Sequence, residues 1–320
     1  MNATFGTTHL ALVGPTASGK SALAFALAQQ LGDVEIVSLD SMQVYRCMDI
    51  GTAKPTVAER AAVVHHLVDV ADPDDEWSVA RTQAGAREAL RAIEARGRRA
   101  LFVGGTGLYV RSVIDDLRIP GEDPARRAEL EAATEEVEGL RDAYRELEAL
   151  DPIAAARIEP LNRRRIVRAL EVIHLSGRPF SSFGPGVDHF GPPAVAVRQI
   201  GVWLPRELHA QRIASRVVAM RDAGLVDEVA ALVQLPGGLS RSAIQAIGYR
   251  EVLAYLRGDV PTLEAALDLV VRRTRFFARR QRMWFRRDPR VTWLGTSGDP
   301  QRLLGIVREL WGSATAVAAA

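Results

Sequence analysis

Residues Gly14-Pro15-Thr16-Ala17-Ser18-Gly19-Lys20-Ser21 follow the phosphate-binding loop pattern of a glycine, four residues, then Gly-Lys-Ser/Thr. This motif constrains the fold more than anything else in the chain, because it works only between a strand and a helix. Residues 10–13 are an apolar run with the length of a buried strand. Residues 21–31 carry helical spacing in Ala24, Leu27, Ala28 and Leu31. Gly14 and Gly19 let the backbone turn its N–H groups inward, the following helix adds its positive end, and Lys20 places a point charge between two phosphates. The product is a pyrophosphate cradle, and the loop alone does not say whose phosphates it holds.

The sequence downstream extends the pattern to strand, loop, helix, strand, helix, strand, the signature of an α/β fold with a parallel sheet flanked by helices in the manner of the P-loop NTPases. Residues 34–39 read as a second buried strand delivering Asp40 and Ser41 to the carboxyl edge of the sheet, where ligands bind in doubly wound folds. Asp40 is therefore a candidate base or magnesium ligand, with a turn or cap role as the alternative. Residues 65–70 look like a third strand, and its His65 and His66 have no third metal ligand nearby. Residues 77–96 form a helix, and residues 100–103 a strand that ends in Gly104-Gly105-Thr106-Gly107, a second turn beside the same crevice. From residue 120 the texture changes to charged helices over 123–133, 138–150 and 163–176. This divides the chain into a catalytic core of residues 1–121 and 194–320 and a helical insertion of residues 122–193. Sheet character returns at 197–204, followed by one helical stretch over 205–235 with Arg212, Arg216 and Arg221 near its polar side.

The net charge of +2 in 320 residues conceals an asymmetry. Residues 272–290 hold nine arginines against one acid, so this segment is +8 and the remainder −6. On a helical wheel Val270, Thr274, Phe277, Ala278, Gln281, Trp284 and Phe285 share one arc, and Arg272, Arg275, Arg279, Arg282 and Arg286 share the other. Phe276 and Met283 interrupt the arginine face, as suits stacking on bases beside phosphate contact; a solvated basic face is the alternative. The single cysteine, Cys47, excludes an internal disulfide and any multi-cysteine zinc site, and reads as a small semi-buried residue. No basic-then-apolar leader and no apolar run of membrane-spanning length is present, so a cytoplasmic protein is expected. The Ala-rich tail after Gly312 is expected to be disordered.

Taken in order, these motifs resemble the tRNA dimethylallyltransferases, also called tRNA isopentenyltransferases, of the bacterial type. The resemblance rests on the loop at 14–21, on Asp40-Ser41-Met42-Gln43-Val44-Tyr45, on Met48-Asp49-Ile50-Gly51-Thr52-Ala53-Lys54-Pro55 and on Gly104-Gly105-Thr106-Gly107-Leu108-Tyr109. It continues in Arg168-Ala169-Leu170-Glu171-Val172, Gln245-Ala246-Ile247-Gly248-Tyr249-Arg250-Glu251 and residues 279–286. It implies transfer of a dimethylallyl group from dimethylallyl diphosphate to the N6 amine of the adenosine 3′ of a tRNA anticodon, with magnesium. Asp40 would be the catalytic base, and Thr106 would hold the base or Asp40 by a hydrogen bond. Gly14, Pro15, Thr16, Ala17, Ser18, Gly19, Lys20 and Ser21 would form the diphosphate or nucleotide site, with Ser21 on the metal. Asp40, Ser41, Met42, Gln43, Thr106, Arg127, Arg164, Arg165 and Arg168 would contact the anticodon stem-loop. The working unit is expected to be a monomer.

Two departures from the family pattern stand out. The usual Pro-Asn-Asp before the arginine segment is Pro160-Leu161-Asn162-Arg163 here, without the acid, and the zinc-finger extension of eukaryotic relatives is missing. Three other functions fit parts of the chain. A P-loop kinase or ATPase lacks an apolar strand ending in an Asp-Glu pair, a prenyltransferase of free adenine nucleotides needs neither the insertion nor the arginine helix, and an RNA-binding module leaves Asp40 unexplained.

Overall fold

The computed structural model describes residues 9–184, 186–187, 189–296 and 298–317. Its centre is a sheet of β1 (His9–Val13), β2 (Val34–Ser38), β3 (His65–His66), β4 (Arg99–Gly104), β5 (Val197–Trp203) and β6 (Val291–Gly295), in the order β3-β2-β4-β1-β5-β6. Every pairing between these strands is parallel. All residues of β1 and β2 are buried, as expected where helices cover both faces of a sheet. The phosphate-loop strand β1 lies between β4 and β5, with chain connections departing to either side, so its carboxyl end opens at a topological switch point.

The helices are α1 (Lys20–Leu31), α2 (Val57–Ala62), α3 (Val79–Ala95) and α4 (Gly107–Ile114), then α5 (Pro124–Ala133), α6 (Val137–Leu150), α7 (Pro152–Ala155) and α8 (Arg163–Ser176). After β5 come α9 (Arg206–Asp222), α10 (Leu225–Leu232), α11 (Tyr249–Leu256), α12 (Leu263–Arg286) and α13 (Leu304–Val317). Alternation along the strands sends Leu10, Leu12, Leu101 and Ile200 to a core shared with Leu23, Leu27 and Trp311. Ala11, Val13, Val37 and Phe102 face the opposite core with Ile93, Val110 and Phe285. A third core, built on Tyr45, Met48, Leu225 and Tyr249, lies among the polar loop after β2 and helices α10 and α11.

The chain divides into two compact units, residues 117–189 and the rest. The smaller is all-helical around Leu147, Ile166, Ala169 and Leu170. Its limits differ from 122–193 for local reasons. Pro120 and Gly121 are held by their carbonyls to Arg168 of α8, whereas Phe190 stacks on Arg111 and Arg290 of the larger unit, at 4.5 and 5.7 Å. Asn162 Oδ1 accepts from the Arg165 N–H and caps α8 where the acid is missing.

Four expectations are corrected. The third strand stops after His66, because Leu67 and Asp69 take φ of 61° and 56°, which ends strand geometry. The helical stretch 205–235 breaks at Gly224, with φ 98°, into α9 and α10. Cys47 is exposed rather than semi-buried. The tail after Gly312 continues α13 to Val317, consistent with the helix propensity of alanine, and residues 318–320 lie outside the described residues.

Candidate active site

The phosphate loop is built as its sequence requires. Gly14 has φ 146°, and a Cβ there would sit 2.5 Å from the Val202 carbonyl oxygen of β5, so the strand-to-loop turn admits only glycine. Gly19, at φ 88°, caps α1 without offering a side chain, and no acid lies in the first turn. The helix therefore presents unpaired N–H groups and its positive end to the loop's concavity. Ser18 Oγ is buried with no hydrogen-bond partner among the described residues. Among the described residues, Lys20 Nζ reaches only the Pro15 carbonyl, at 3.4 Å. Burial drives the Lys20 pKa down to about 8; Arg216 adds to the shift and Asp40 opposes it. An orphaned hydroxyl and an under-solvated ammonium on one loop are the features an oxyanion would satisfy.

Asp40 lies just past β2, half-buried, with Oδ1 accepting from the Met42 N–H at 2.9 Å. The carboxylate thus serves the local turn while its charge acts on nearby cations. Its charge is felt by Lys20 and by Arg216 of α9. Arg216 is itself pushed below the ordinary arginine range by burial, against the pull of Asp40. Thr106 is the N-cap residue of α4, and its side chain makes no capping bond, so the hydroxyl is not committed to the helix end. Gln43 is drawn inward: its Oε1 accepts from Ser38 Oγ and its Nε2 donates to the carbonyls of Thr52 and Ala53.

Two helices close around the loop with residues that motif reading did not assign. From α9, His209 Nε2 donates to the Thr16 carbonyl at 2.8 Å. A carbonyl can only accept, so this nitrogen carries the proton; burial lowers the His209 pKa, against the hydrogen bond to Thr16 and with help from Arg282, Lys20 and Arg212. From α12, Gln281 Oε1 accepts from the Thr16 N–H at 2.8 Å, while its amide nitrogen lies 2.5 Å from where a Cβ on Gly105 would stand. The Trp284 indole covers Gly107 closely enough to forbid any side chain there. The signal for Gln281 was present, since the wheel placed it on the inward arc, where a polar side chain needs a partner.

The outward arc of α12 is an arginine surface, smaller than its composition implies. Arg273 is paired with the fully buried Glu251, and Arg290 with Asp115 and Asp288. Arg282 is half-buried over Trp203, 5.3 Å from the ring centroid. Arg272, Arg275, Arg279, Arg280 and Arg286 remain exposed, with Phe276 and Met283 at 66% and 57% exposure among them.

In the helical unit the four arginines divide. Arg164 and Arg165 are exposed, without a hydrogen bond or ion pair from their side chains among the described residues. Arg127 donates twice to Glu171, from Nε and Nη2 at 3.0 Å each, and Arg168 reaches the same carboxylate at 3.0 Å. Their guanidinium groups are held inside the unit. Burial alone would raise the Glu171 pKa, but Arg127, the Asp123 N–H and Arg168 hold it below the usual carboxylate range.

For a metal, the larger unit offers hard oxygen donors, the exposed Ser21 hydroxyl and the Asp40 carboxylate. Among the described residues no cluster of three His, Cys, Asp or Glu side chains forms a site. That donor set suits magnesium shared with substrate phosphates, which takes few protein ligands, and does not suit a structural metal. No helix of the described residues is long and apolar enough to cross a membrane.

A family model described as IPP transferase matches residues 43–288, and one described as isopentenyl transferase matches residues 7–67. A tRNA dimethylallyltransferase of Streptomyces coelicolor is 52% identical over 286 residues, 89% of each chain. One of Salinispora arenicola is 50% identical, covering 91% of this chain and 83% of its own. Among solved structures, the tRNA isopentenylpyrophosphate transferase of Bacillus halodurans superimposes with a TM-score of 0.71 at 38% identity over 98% of both chains. A eukaryotic dimethylallyltransferase acting on tRNA shares the fold, with a TM-score of 0.79 at 24% identity over 96% of this chain and 80% of its own.

Proposed function

The chain belongs to the tRNA dimethylallyltransferase family of prenyltransferases, and we propose that it moves a dimethylallyl group from dimethylallyl diphosphate to the exocyclic N6 amine of the adenosine 3′ of a tRNA anticodon. The observation that carries this reading is the Asp40 carboxylate acting electrostatically on two cations at the phosphate cradle, the buried Lys20 and the half-buried Arg216. An adenine amine is a poor nucleophile because its lone pair is delocalised, so a positioned base helps it. The N6 lone pair attacks the first carbon of the prenyl group, an N–C bond forms as the C–O bond breaks, and diphosphate leaves with the electron pair. Asp40 takes the amine proton. The loop N–H groups, Lys20 and Arg216 hold the growing charge on the leaving diphosphate, and Thr106 orients the base or Asp40.

Ser21 is the residue that would hold magnesium, which when bound neutralises diphosphate charge, and Asp40 is left to act as the base. RNA phosphates would meet the exposed arginines of α12 in the larger unit and, in the helical unit, Arg164 and Arg165, while Arg127 and Arg168, committed to Glu171, fix the helix that carries the latter. Ser41, Met42 and Gln43 would meet the target nucleotide beside Asp40. The single cysteine fits a reducing compartment, and we place the reaction in the cytoplasm.

The test is transfer from labelled dimethylallyl diphosphate to tRNA, to AMP and to ATP, by the wild-type protein and by Asp40→Asn. Transfer should go to tRNA alone, and the single-turnover rate of Asp40→Asn should fall by about 10² to 10⁴ with tRNA affinity nearly intact. Equal transfer to AMP, or near-normal chemistry with weakened tRNA binding in Asp40→Asn, would refute the assignment.

A further inference from the structure

Two motifs in the sequence, residues 48–55 and 245–251, have no part in the phosphate cradle, and the structure joins them through a residue outside both. Glu228 of α10 turns its half-buried carboxylate onto the loop after β2. Its Oε2 accepts from the N–H groups of Asp49 and Ile50 at 2.9 and 2.8 Å, and its Oε1 from Gly51 at 3.2 Å. The Tyr249 hydroxyl donates to the same Oε1 at 2.6 Å. Three successive backbone N–H groups make an anion-binding concavity, here filled by the protein's own acid. Tyr249 also packs against Gly51, where a Cβ would overlap its ring.

The far side of the loop leads to the site. Lys54, buried, donates to the Tyr45 carbonyl, to Asp49 and to Asp69, at 2.6, 2.5 and 2.5 Å. The next carbonyls back along the chain, of Thr52 and Ala53, accept from Gln43 Nε2, and Gln43 is fixed in turn by Ser38 Oγ, two residues before Asp40. An unbroken series of bonds therefore runs from Glu228 to the segment that carries Asp40 and Gln43.

We propose that Glu228 is a positioning residue for the transfer reaction: by filling the concavity of residues 49–51 and tying it to Tyr249, it holds Gln43 and the Asp40 turn in the register that receives the target nucleotide. The proposal rests on the function given above. It assigns Glu228 no contact with either substrate and accounts for why Gly51 and Tyr249 face each other. Because the diphosphate cradle is built by different elements, loss of Glu228 should leave it intact.

The test compares wild type, Glu228→Gln and Tyr249→Phe in the full chain. Glu228→Gln keeps the shape but turns one acceptor into a donor facing N–H groups, and Tyr249→Phe removes one donor while keeping the ring on Gly51. With anticodon stem-loop RNA and dimethylallyl diphosphate, single-turnover transfer by Glu228→Gln should fall about tenfold or more, and by Tyr249→Phe less, in the same direction. The Kd of inorganic diphosphate should stay within about twofold, and amide exchange at Asp49, Ile50 and Gly51 should accelerate about tenfold without change in the β1 amides. Transfer unchanged in Glu228→Gln would overturn the proposal. So would losses in transfer, diphosphate capacity and global protection that fall in equal proportion, since those describe a general loss of folded protein. A wild-type protein that transfers nothing to RNA would instead overturn the function beneath it, and the positioning role with it.

Discussion

The buried ammonium of Lys20 should make diphosphate binding pH-dependent in a range where the donor itself does not titrate. In the free protein its pKa lies at about 8, against the ordinary lysine value of 10.5, first because burial strips water from the charge. A bound diphosphate places negative charge beside it and restores the high pKa. The sign follows from linkage: the complex binds a proton that the free protein releases above pH 8, so affinity falls as pH rises through 8 and is flat below. With a free pKa of about 8, Kd should weaken about twofold at pH 8 and about tenfold at pH 9 relative to pH 7. Dimethylallyl diphosphate contributes little to this slope, since a terminal phosphate has its second pKa at about 6. Calorimetry at pH 9 in buffers of different ionisation enthalpy should show uptake of about 0.9 proton per donor bound, against about 0.1 at pH 7. Lys20→Met should bind the donor about tenfold or more weakly at pH 7 and lose the slope. An affinity constant from pH 7 to 9.5, or an equal slope in Lys20→Met, would refute the reasoning and leave Lys20 outside the diphosphate site.

The arginine face of α12 should appear in the salt dependence of RNA binding: replacing the exposed Arg272, Arg275 and Arg279 with Gln should flatten the slope of log affinity against log salt by roughly two, at about 0.7 for each RNA phosphate no longer neutralised. An unchanged slope would return these residues to a solvated basic surface. Within the helical unit, Glu171→Gln should lower the urea midpoint by an equivalent of about 2 kcal/mol at constant m-value, the penalty for leaving the Arg127 and Arg168 guanidinium groups without their carboxylate, reduced for the partial exposure of both. Because the Glu171 pKa is held below its ordinary value, that contribution is complete above the unfolded pKa and disappears as pH falls through the folded one, so wild type and variant should converge in acid.

The parts of the fold that the sequence made legible are those decided by short-range rules. A phosphate loop needs a strand before it and a helix after it, and the helices 123–133, 138–150 and 163–176 show in the periodicity of residues that bury Leu130, Leu147 and Ile166. What escaped was decided by backbone conformation or by partners distant in the chain. The third strand ends at His66 because Leu67 and Asp69 are left-handed, a state that neither residue type advertises. Asp40 could be placed at a strand end, yet the cations that give it a role sit on α1 and, far along the chain, on α9. His209 and Arg216 look like any polar residues of a surface helix until α9 is packed against the phosphate loop. The arginine count misled in degree for the same reason: Arg273 and Arg290 read as free charge, but Glu251, Asp115 and Asp288 claim them.

That division of the arginines bears on how α12 would serve the two substrates of the proposed reaction. Its inward arc supplies Gln281, whose oxygen holds the Thr16 N–H of the phosphate loop, and Trp284, which closes over Gly107 beside Thr106. Its outward arc supplies the exposed guanidinium groups. A helix is stiff over such a length, so a force on one arc is felt as a displacement of the other. Arg273 adds a third attachment, through Glu251 to the Gly248 N–H, one residue from the tyrosine that meets Glu228. The phosphate loop, the Asp40 loop and the basic surface are therefore braced against one rigid element. Substitutions that loosen its inward arc should disturb the diphosphate site before they disturb the long-range electrostatics of RNA encounter, because the latter depends on charge count and the former on the position of a single acceptor oxygen.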